Sequence, residues 1–179
     1  VKCGALPKAQ EVFQELPVRN NVSWTSLMVG YAQLGETQVV FELYDKMKAE
    51  GISPDLVTFH VLLTACSQDG LLEEGEKLFD EMGGVYSLTP TREHYTCMID
   101  LFDRVGCLDK AKVLLDNVLS SSDRRALFLT LLGHCRKSGN AVLGRWAFEH
   151  LLELNGENAA LYVSMSNIYM QASDMPSTI

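Results

Sequence analysis

The 179-residue chain carries 15 Lys and Arg against 23 Asp and Glu, a formal charge of −8, and is 47% hydrophobic. That apolar share suits a folded globular protein, and no run approaches the roughly 18 uninterrupted apolar residues a membrane helix needs. Its five cysteines (Cys3, Cys66, Cys97, Cys107 and Cys135) are odd in number and unpaired in spacing, which argues against a secreted disulfide framework.

The chain opens with Val1-Lys2-Cys3-Gly4, part-way into a helical repeat, and closes with Ser177-Thr178-Ile179, part-way into another. A piece of a longer array is therefore expected. In chain order the pattern predicts helices near 6–16, 22–34, 37–49, 57–68, 72–83, 93–105, 109–119, 126–138, 141–154 and 160–172. Pro7 opens the first, where proline is tolerated. Pro54 and Pro90 fall between units, where a missing N–H costs little.

These elements repeat. Glycines at Gly4, Gly35, Gly70, Gly106 and Gly139 stand 31, 35, 36 and 33 residues apart. Each follows one helix and precedes the next, a place that favours a left-handed turn residue. Eleven residues before the last four stand Trp24, Phe59, Tyr95 and Phe128, and the same step back from Ser173 gives Tyr162. Met28, Leu63, Ile99 and Leu132 stand seven before, and Met165 is assigned to their column. Ala9, Val40, Gly75, Ala111 and Gly144 stand five after, and Phe13, Tyr44, Phe79, Leu115 and Phe148 nine after.

Each unit is thus read as a first helix beginning near its aromatic, a glycine turn, and a second helix crossing the first closely at its small residue. One such hairpin cannot bury both faces, so neighbours stack into a solenoid. Trp24, Phe59, Tyr95, Phe128, Phe13, Phe79 and Phe148 are expected in the core, with Cys66 and Cys135, in the column of Tyr31 and Tyr169, as packing residues.

The columns separate two families of this repeat length. A tetratricopeptide unit wants a small residue four after its first aromatic, where this chain has Met28, Leu63, Ile99 and Leu132. The chain resembles instead the pentatricopeptide repeat family, in its plant subclass of alternating P, L and S unit lengths. Asn21-Val-Ser-Trp24-Thr25 to Gly51-Ile-Ser-Pro54-Asp55 resembles the standard unit. Val57-Thr-Phe59, Leu63-Thr-Ala-Cys66 and Gly70-Leu-Leu-Glu-Glu-Gly75 resemble the longer unit. Glu93-His94-Tyr95-Thr-Cys97-Met98-Ile99-Asp100 opens a short one. Leu131-Leu-Gly-His-Cys135-Arg136 with Gly139-Asn140 and Leu143-Gly144, then Tyr162-Val163 with Ser166-Asn167-Ile168-Tyr169, resemble C-terminal extension units. The resemblance implies a right-handed, all-α solenoid divided at 1–20, 21–55, 56–91, 92–124, 125–158 and 159–179. Departures are Ser173 for glycine, Val40 for a small residue, and Ser120-Ser-Ser-Asp123 at the end of the short unit.

The resemblance further implies an adaptor for single-stranded RNA, read one base per unit by the residue after the helix aromatic together with the last residue of the unit. Those pairs are Thr25 with Asp55, His60 with Thr91, and Thr96 with Asp123 or Arg124. Asn20 closes the first, partial unit. Val22 and Val57 are expected to pack on base faces, a role Glu93 fills badly. The Thr25–Asp55 pair is expected to read guanine, because an acceptor-rich residue suits guanine's N–H donors.

A net negative charge runs against the usual phosphate-driven affinity. The acids, however, crowd onto the second helices (Glu42, Asp45, Glu50, Glu73, Glu74, Glu76, Asp80, Glu81), while Val22–Leu34 and Val57–Gln68 hold no Asp, Glu, Lys or Arg. The extension units are locally basic at Arg124, Arg125, Arg136, Lys137 and Arg145.

No catalytic pattern emerges. A nucleobase deaminase needs His-x-Glu and Pro-Cys-x-x-Cys, and the residues two after His60, His94, His134 and His150 are Leu62, Thr96, Arg136 and Leu152. No metal or cofactor is expected. The resemblance implies organellar work, in the mitochondrion or else the chloroplast, on C-to-U editing, with a DYW-type deaminase or other editing-complex proteins joining through the extension units and no membrane involved. The rival expectations are a scaffold binding a peptide or helix in the groove, and a gene fragment without a role.

Overall fold

In the computed structural model, residues 5–118, 121–155 and 159–174 are described, and they form helices and turns alone. The helices are α1 (Ala5–Glu15), α2 (Asn21–Ala32), α3 (Thr37–Ala49), α4 (Leu56–Asp69), α5 (Leu72–Gly84), α6 (Arg92–Arg104), α7 (Lys110–Asp116), α8 (Ser121–Ser138), α9 (Ala141–Asn155) and α10 (Ala159–Asp174). Cys3, Gly4, Ser120 and the tail beyond Asp174 lie outside the described residues, as do the side chains of Pro7 and Ala9.

The chain divides into two compact units, one ending at Cys97 and one beginning at Met98, so the division falls within α6. In the first, α2 pairs with α3 and α4 with α5, and α2 packs beside α4. In the second, α8 pairs with α9, and α10 packs against both.

The glycine column supplies the turns. Gly35, Gly70, Gly106 and Gly139 have φ of 76°, 69°, 74° and 68°, a region where a Cβ costs about 1–2 kcal/mol. Gly70 is the left-handed C-cap of α4 and donates its N–H to Cys66 O. Ser173 turns nothing, because it lies inside α10 and its hydroxyl donates back to Tyr169 O.

The small-residue column is where helices cross. Val40, Ala111 and Gly144 are buried, and a Cβ on Gly144 would sit 3.0 Å from Ile168 Cδ1 and 3.4 Å from Cys135 Cβ. The aromatic columns divide. Trp24, Phe59, Phe128 and Phe13 are buried, as are Cys66 and Cys135. Tyr95, Phe79 and Phe148 are half-buried, contrary to expectation. The reason is visible in α5, whose inward stripe is Gly75, Leu78 and Met82, and in α9, where Leu143, Ala147 and Leu151 point inward. Phe79 and Phe148 flank those stripes and meet Tyr95 and Tyr162 edge-on, with ring centroids 5.4 Å and 5.1 Å apart.

The last helix corrects the expected register. Tyr162 is 47% exposed, whereas Leu161, Met165 and Ile168 are buried. The column there runs through Leu161, one residue earlier than counting from Ser173 suggests, because no turn stands at Ser173 to fix the count. α8 begins at Ser121, so Arg124 lies in its first turn.

Candidate functional site

The residues expected to read a ligand gather where the first helix of each unit begins. Asn20 is the N-cap of α2. Its side chain accepts from Ser23 N, and its own N–H donates to Ser23 Oγ, at 3.0 Å each. This reciprocal capping box satisfies two donors a helix start would otherwise orphan. Asp55 caps α4 in the same way. Its Oδ1 accepts from both Thr58 N and Thr58 Oγ1 at 2.9 Å, and its N–H donates to Thr58 Oγ1 at 3.3 Å.

Thr58 also reaches the neighbouring helix. Its hydroxyl lies 3.0 Å from Thr25 Oγ1 on α2, and Thr25 has Asn21 Oδ1 at 3.3 Å. Thr25 is buried at 5% exposure and Thr58 is fully enclosed. The structure thus joins Thr25 and Asp55, residues thirty positions apart in sequence, through a third side chain. Val22 and Val57, each two residues after its cap, are 70% and 55% exposed.

The second pair is joined differently. Thr91 precedes α6, and its N–H donates to His94 Nδ1 at 3.1 Å, with its hydroxyl 2.8 Å from the same nitrogen. A backbone N–H can only donate, so Nδ1 is an acceptor and the ring proton sits on Nε2, 2.8 Å from Leu56 O. His94 is buried, and desolvation holds its pKa below the ordinary imidazole value. His60 approaches Cys97 Sγ at 3.6 Å through Nδ1, and its ring stands edge-on to His94 at 6.0 Å. His60 and Thr91 therefore share a neighbour without a hydrogen-bonded link between them.

Of the remaining candidates, half-buried Thr96 bonds back to Arg92 O at 3.0 Å, a helix-internal contact. Glu93 is exposed, accepts from Thr91 Oγ1 at 2.7 Å, and is held below the usual carboxylate range chiefly by that bond. Asp123 lies in the first turn of α8. Arg124 donates to Asp116 O at 3.3 Å.

Sequence reading missed the third residue after each cap, the column of Ser23, Thr58 and His94. The signal was present, since Asn-x-x-Ser and Asp-x-x-Thr are capping spacings. It also missed His134, whose two ring nitrogens each lie 2.7 Å from a carboxylate, Asp100 Oδ1 and Asp103 Oδ2. Among the described residues no cluster of His, Cys, Asp or Glu has the makings of a metal site. Burial pushes the thiols of Cys66 and Cys135 up to about 12, with nearby carboxylates adding to the effect, which removes them as nucleophiles. The acids Glu42, Asp45, Glu50, Glu73, Glu74 and Asp80 stand exposed on or beside α3 and α5, away from the uncharged faces of α2 and α4.

Comparison with known proteins locates the pattern. A model described as the PPR repeat family matches residues 19–68, and one described as the PPR repeat matches residues 57–84. A putative pentatricopeptide repeat-containing protein of Arabidopsis thaliana is 40% identical over 168 residues, covering 94% of this chain and 22% of that protein. Another from the same plant, named as mitochondrial, is 40% identical over 168 residues and 26% of its own length. A chloroplastic one is 37% identical over 174 residues and 27% of its length. The chain thus spans about a quarter of the relatives it matches. Among solved structures, the pentatricopeptide repeat protein PPR10 in complex with an 18-nt psaJ RNA element superposes with a TM-score of 0.74 at 18% identity, over 93% of this chain and 25% of that one. The shared fold is an array of helical hairpins.

Proposed function

The chain belongs to the pentatricopeptide repeat family, and from that premise we propose that it is a sequence-specific adaptor for single-stranded RNA rather than an enzyme. The observation that carries this reading is the Thr25–Thr58–Asp55 arrangement. Every hydrogen bond given to the Asp55 carboxylate among the described residues falls on Oδ1. Oδ2 is left to accept from a ligand, in a half-buried residue at the start of a helix without Asp, Glu, Lys or Arg before its last residue, beside exposed Val57. A base edge needs such an acceptor, and a base face needs such an apolar platform. The solved relative bound to RNA supports the same reading.

The finer assignments are proposals of the same kind. Units 21–55, 56–91 and 92–124 are P-, L- and S-type repeats, and 125–158 and 159–179 are extension repeats. Thr25 with Asp55, His60 with Thr91, and Thr96 with Asp123 read successive nucleotides, with Asn20 closing the preceding unit and Val22 and Val57 stacking. The work is organellar C-to-U editing, in the mitochondrion or the chloroplast, with a deaminase supplied in trans through the extension repeats. Relatives named for both organelles support the compartment class.

The test is an NMR titration of the chain with four uridine hexanucleotides that differ only at one central base. Amide shifts at Asp55–His60, largest for the guanine-containing RNA, are expected. Equal shifts for all four, or shifts confined to the basic extension units, overturn the reading. Saturable binding of an amphipathic peptide at the same amides, with none of RNA, favours the scaffold instead.

A further inference from the structure

Thr58 belongs to no reading pair, yet among the described residues it is the only side chain bonded to both members of the first one. We propose that Thr58 is a specificity-determining positioning residue, whose hydroxyl takes the Thr25 proton and pins Asp55 by Oδ1, leaving Oδ2 to accept, so that the pair selects guanine. The inference rests on the RNA-reading function proposed above.

A threonine hydroxyl has one proton to give and two lone pairs. Around Thr58 Oγ1 stand three groups: Asp55 Oδ1 at 2.9 Å, Asp55 N–H at 3.3 Å and Thr25 Oγ1 at 3.0 Å. The amide N–H can only donate, so it takes one lone pair. Of the two acceptors competing for the proton, the carboxylate is the stronger, because a bond to an anion is shorter and roughly twice as strong as a neutral one. The Thr58 proton therefore goes to Asp55 Oδ1. Thr25 has two acceptors within reach, the remaining lone pair of Thr58 at 3.0 Å and Asn21 Oδ1 at 3.3 Å, and donates to the nearer.

Two consequences follow for whatever meets this pair from outside. The proton of Thr25 is spent inward, so its hydroxyl can present only lone pairs. Asp55 Oδ1 is occupied by the Thr58 amide and hydroxyl, so Oδ2 is its open face, and it too can only accept. Both reading groups are acceptors. Among the four bases, guanine alone offers two adjacent N–H donors, N1–H and N2–H, on its Watson–Crick edge; adenine, cytosine and uracil each place an acceptor beside a donor there. Thr58 is itself fully enclosed, so it acts through these two neighbours and not by touching RNA.

The second unit shows the contrast. His94 holds the position of Thr58 there and bonds Thr91, but its other nitrogen serves Leu56 O, and His60 turns to Cys97. The bridge from cap to reading residue is absent from that pair, and the same acceptor-only logic does not extend to it.

The experiment is the hexanucleotide titration repeated with Thr58→Val, which keeps the shape and loses the hydroxyl, and Thr58→Ser, which keeps the hydroxyl. The wild-type chain is expected to favour guanine over adenine at the central base. Thr58→Val should reduce that ratio roughly ten-fold, the worth of one charge-assisted bond, and Thr58→Ser should hold it within about two-fold, as rescue of the hydroxyl requires. The amide spectrum outside residues 20–60 reports folding; if Thr58→Val fails that check, Thr58→Ala replaces it. A wild-type chain that prefers guanine with Val and Ser variants that prefer it equally overturns the role of Thr58 and leaves RNA reading intact. A wild-type chain without base preference overturns both.

Discussion

His134 meets Asp100 through Nε2 and Oδ1 at 2.7 Å, while its Nδ1 meets Asp103 at the same distance. Both partners are carboxylates, an arrangement that favours the doubly protonated ring. The hydrogen bond to Asp100 is the largest cause of the raised pKa, opposed by burial and reinforced by Asp103. A group whose folded pKa exceeds its unfolded value of 6.5 contributes most below that value. Its contribution is lost as pH rises through the folded pKa. The gap in Tm between the wild type and His134→Gln should therefore be widest near pH 6 and shrink on going alkaline.

His94 carries the opposite sign. Its Nδ1 is occupied as an acceptor by Thr91 and its pKa is depressed by burial. Protonation favours the unfolded chain, so stability is lost as pH falls below 6.5. An NMR titration of the imidazoles should place His134 above 6.5 and His94 below it. Both on the same side would contradict the assigned protons.

Phe59 is fully buried, with Tyr44 and Tyr86 rings at 6.2 Å and 5.5 Å. Phe59→Ala should cost about 3–5 kcal/mol in urea unfolding. Half-buried Phe79 should cost clearly less, about 2 kcal/mol, although both sit in aromatic columns of the repeat. Equal costs would show that the inward stripe of α5 does not run through Gly75, Leu78 and Met82.

This difference marks how far the sequence was legible. The glycine turns, the small crossing residues and nine of the ten helix starts lay within three residues of where periodicity puts them, because turn chemistry and spacing are local. Rotation of a helix about its own axis is not local. It is set by neighbours, which is why Phe79 and Phe148 slid to the flank and Tyr162 turned outward. The columns bring Thr25 and Asp55 together as the proposed reading pair. Its bridge through Thr58 was not legible, since it depends on two helices from adjacent units meeting at one hydroxyl. The His134–Asp100 contact, 34 residues apart, was hidden for the same reason.

Gly144 and Gly133 separate packing from propensity. A Cβ at Gly144 meets Ile168 and Cys135, whereas one at Gly133 meets nothing within 4 Å. Gly144→Val should destabilise by about 1–3 kcal/mol through overpacking. Gly133→Ala should stabilise by up to about 1 kcal/mol, because alanine is the better helix former. Thermal melts of the two variants should move in opposite directions.

Cysteine alkylation reports the same burial. Cys66 and Cys135 are inaccessible, with thiols pushed up to about 12, while Cys107 is half-exposed. In the native chain at pH 8, iodoacetamide should modify Cys107 well before either, as peptide mass spectrometry would register. Equal rates would mean that the second helices do not close over the first.

Asp55 and Val57 should separate base choice from base stacking. Two or three readable units supply roughly 1–3 kcal/mol per stacked base, against about 4–15 kcal/mol for association. Binding by this chain should accordingly be weak, and measurable at NMR concentrations. Val57 is exposed and makes no polar contact, so Val57→Ala should weaken all four hexanucleotides alike. Asp55→Asn is the sharper change. Thr58 pins Oδ1 through its amide and hydroxyl, and asparagine keeps that oxygen and remains a good N-cap. The side-chain NH2 then takes the place of Oδ2, turning an acceptor into a donor. Guanine should lose its advantage, and the bases with an edge acceptor beside a donor, adenine, cytosine and uracil, should gain. Stability should hold within about 0.5 kcal/mol. Unchanged guanine preference in Asp55→Asn would place the reading contact elsewhere than on Asp55.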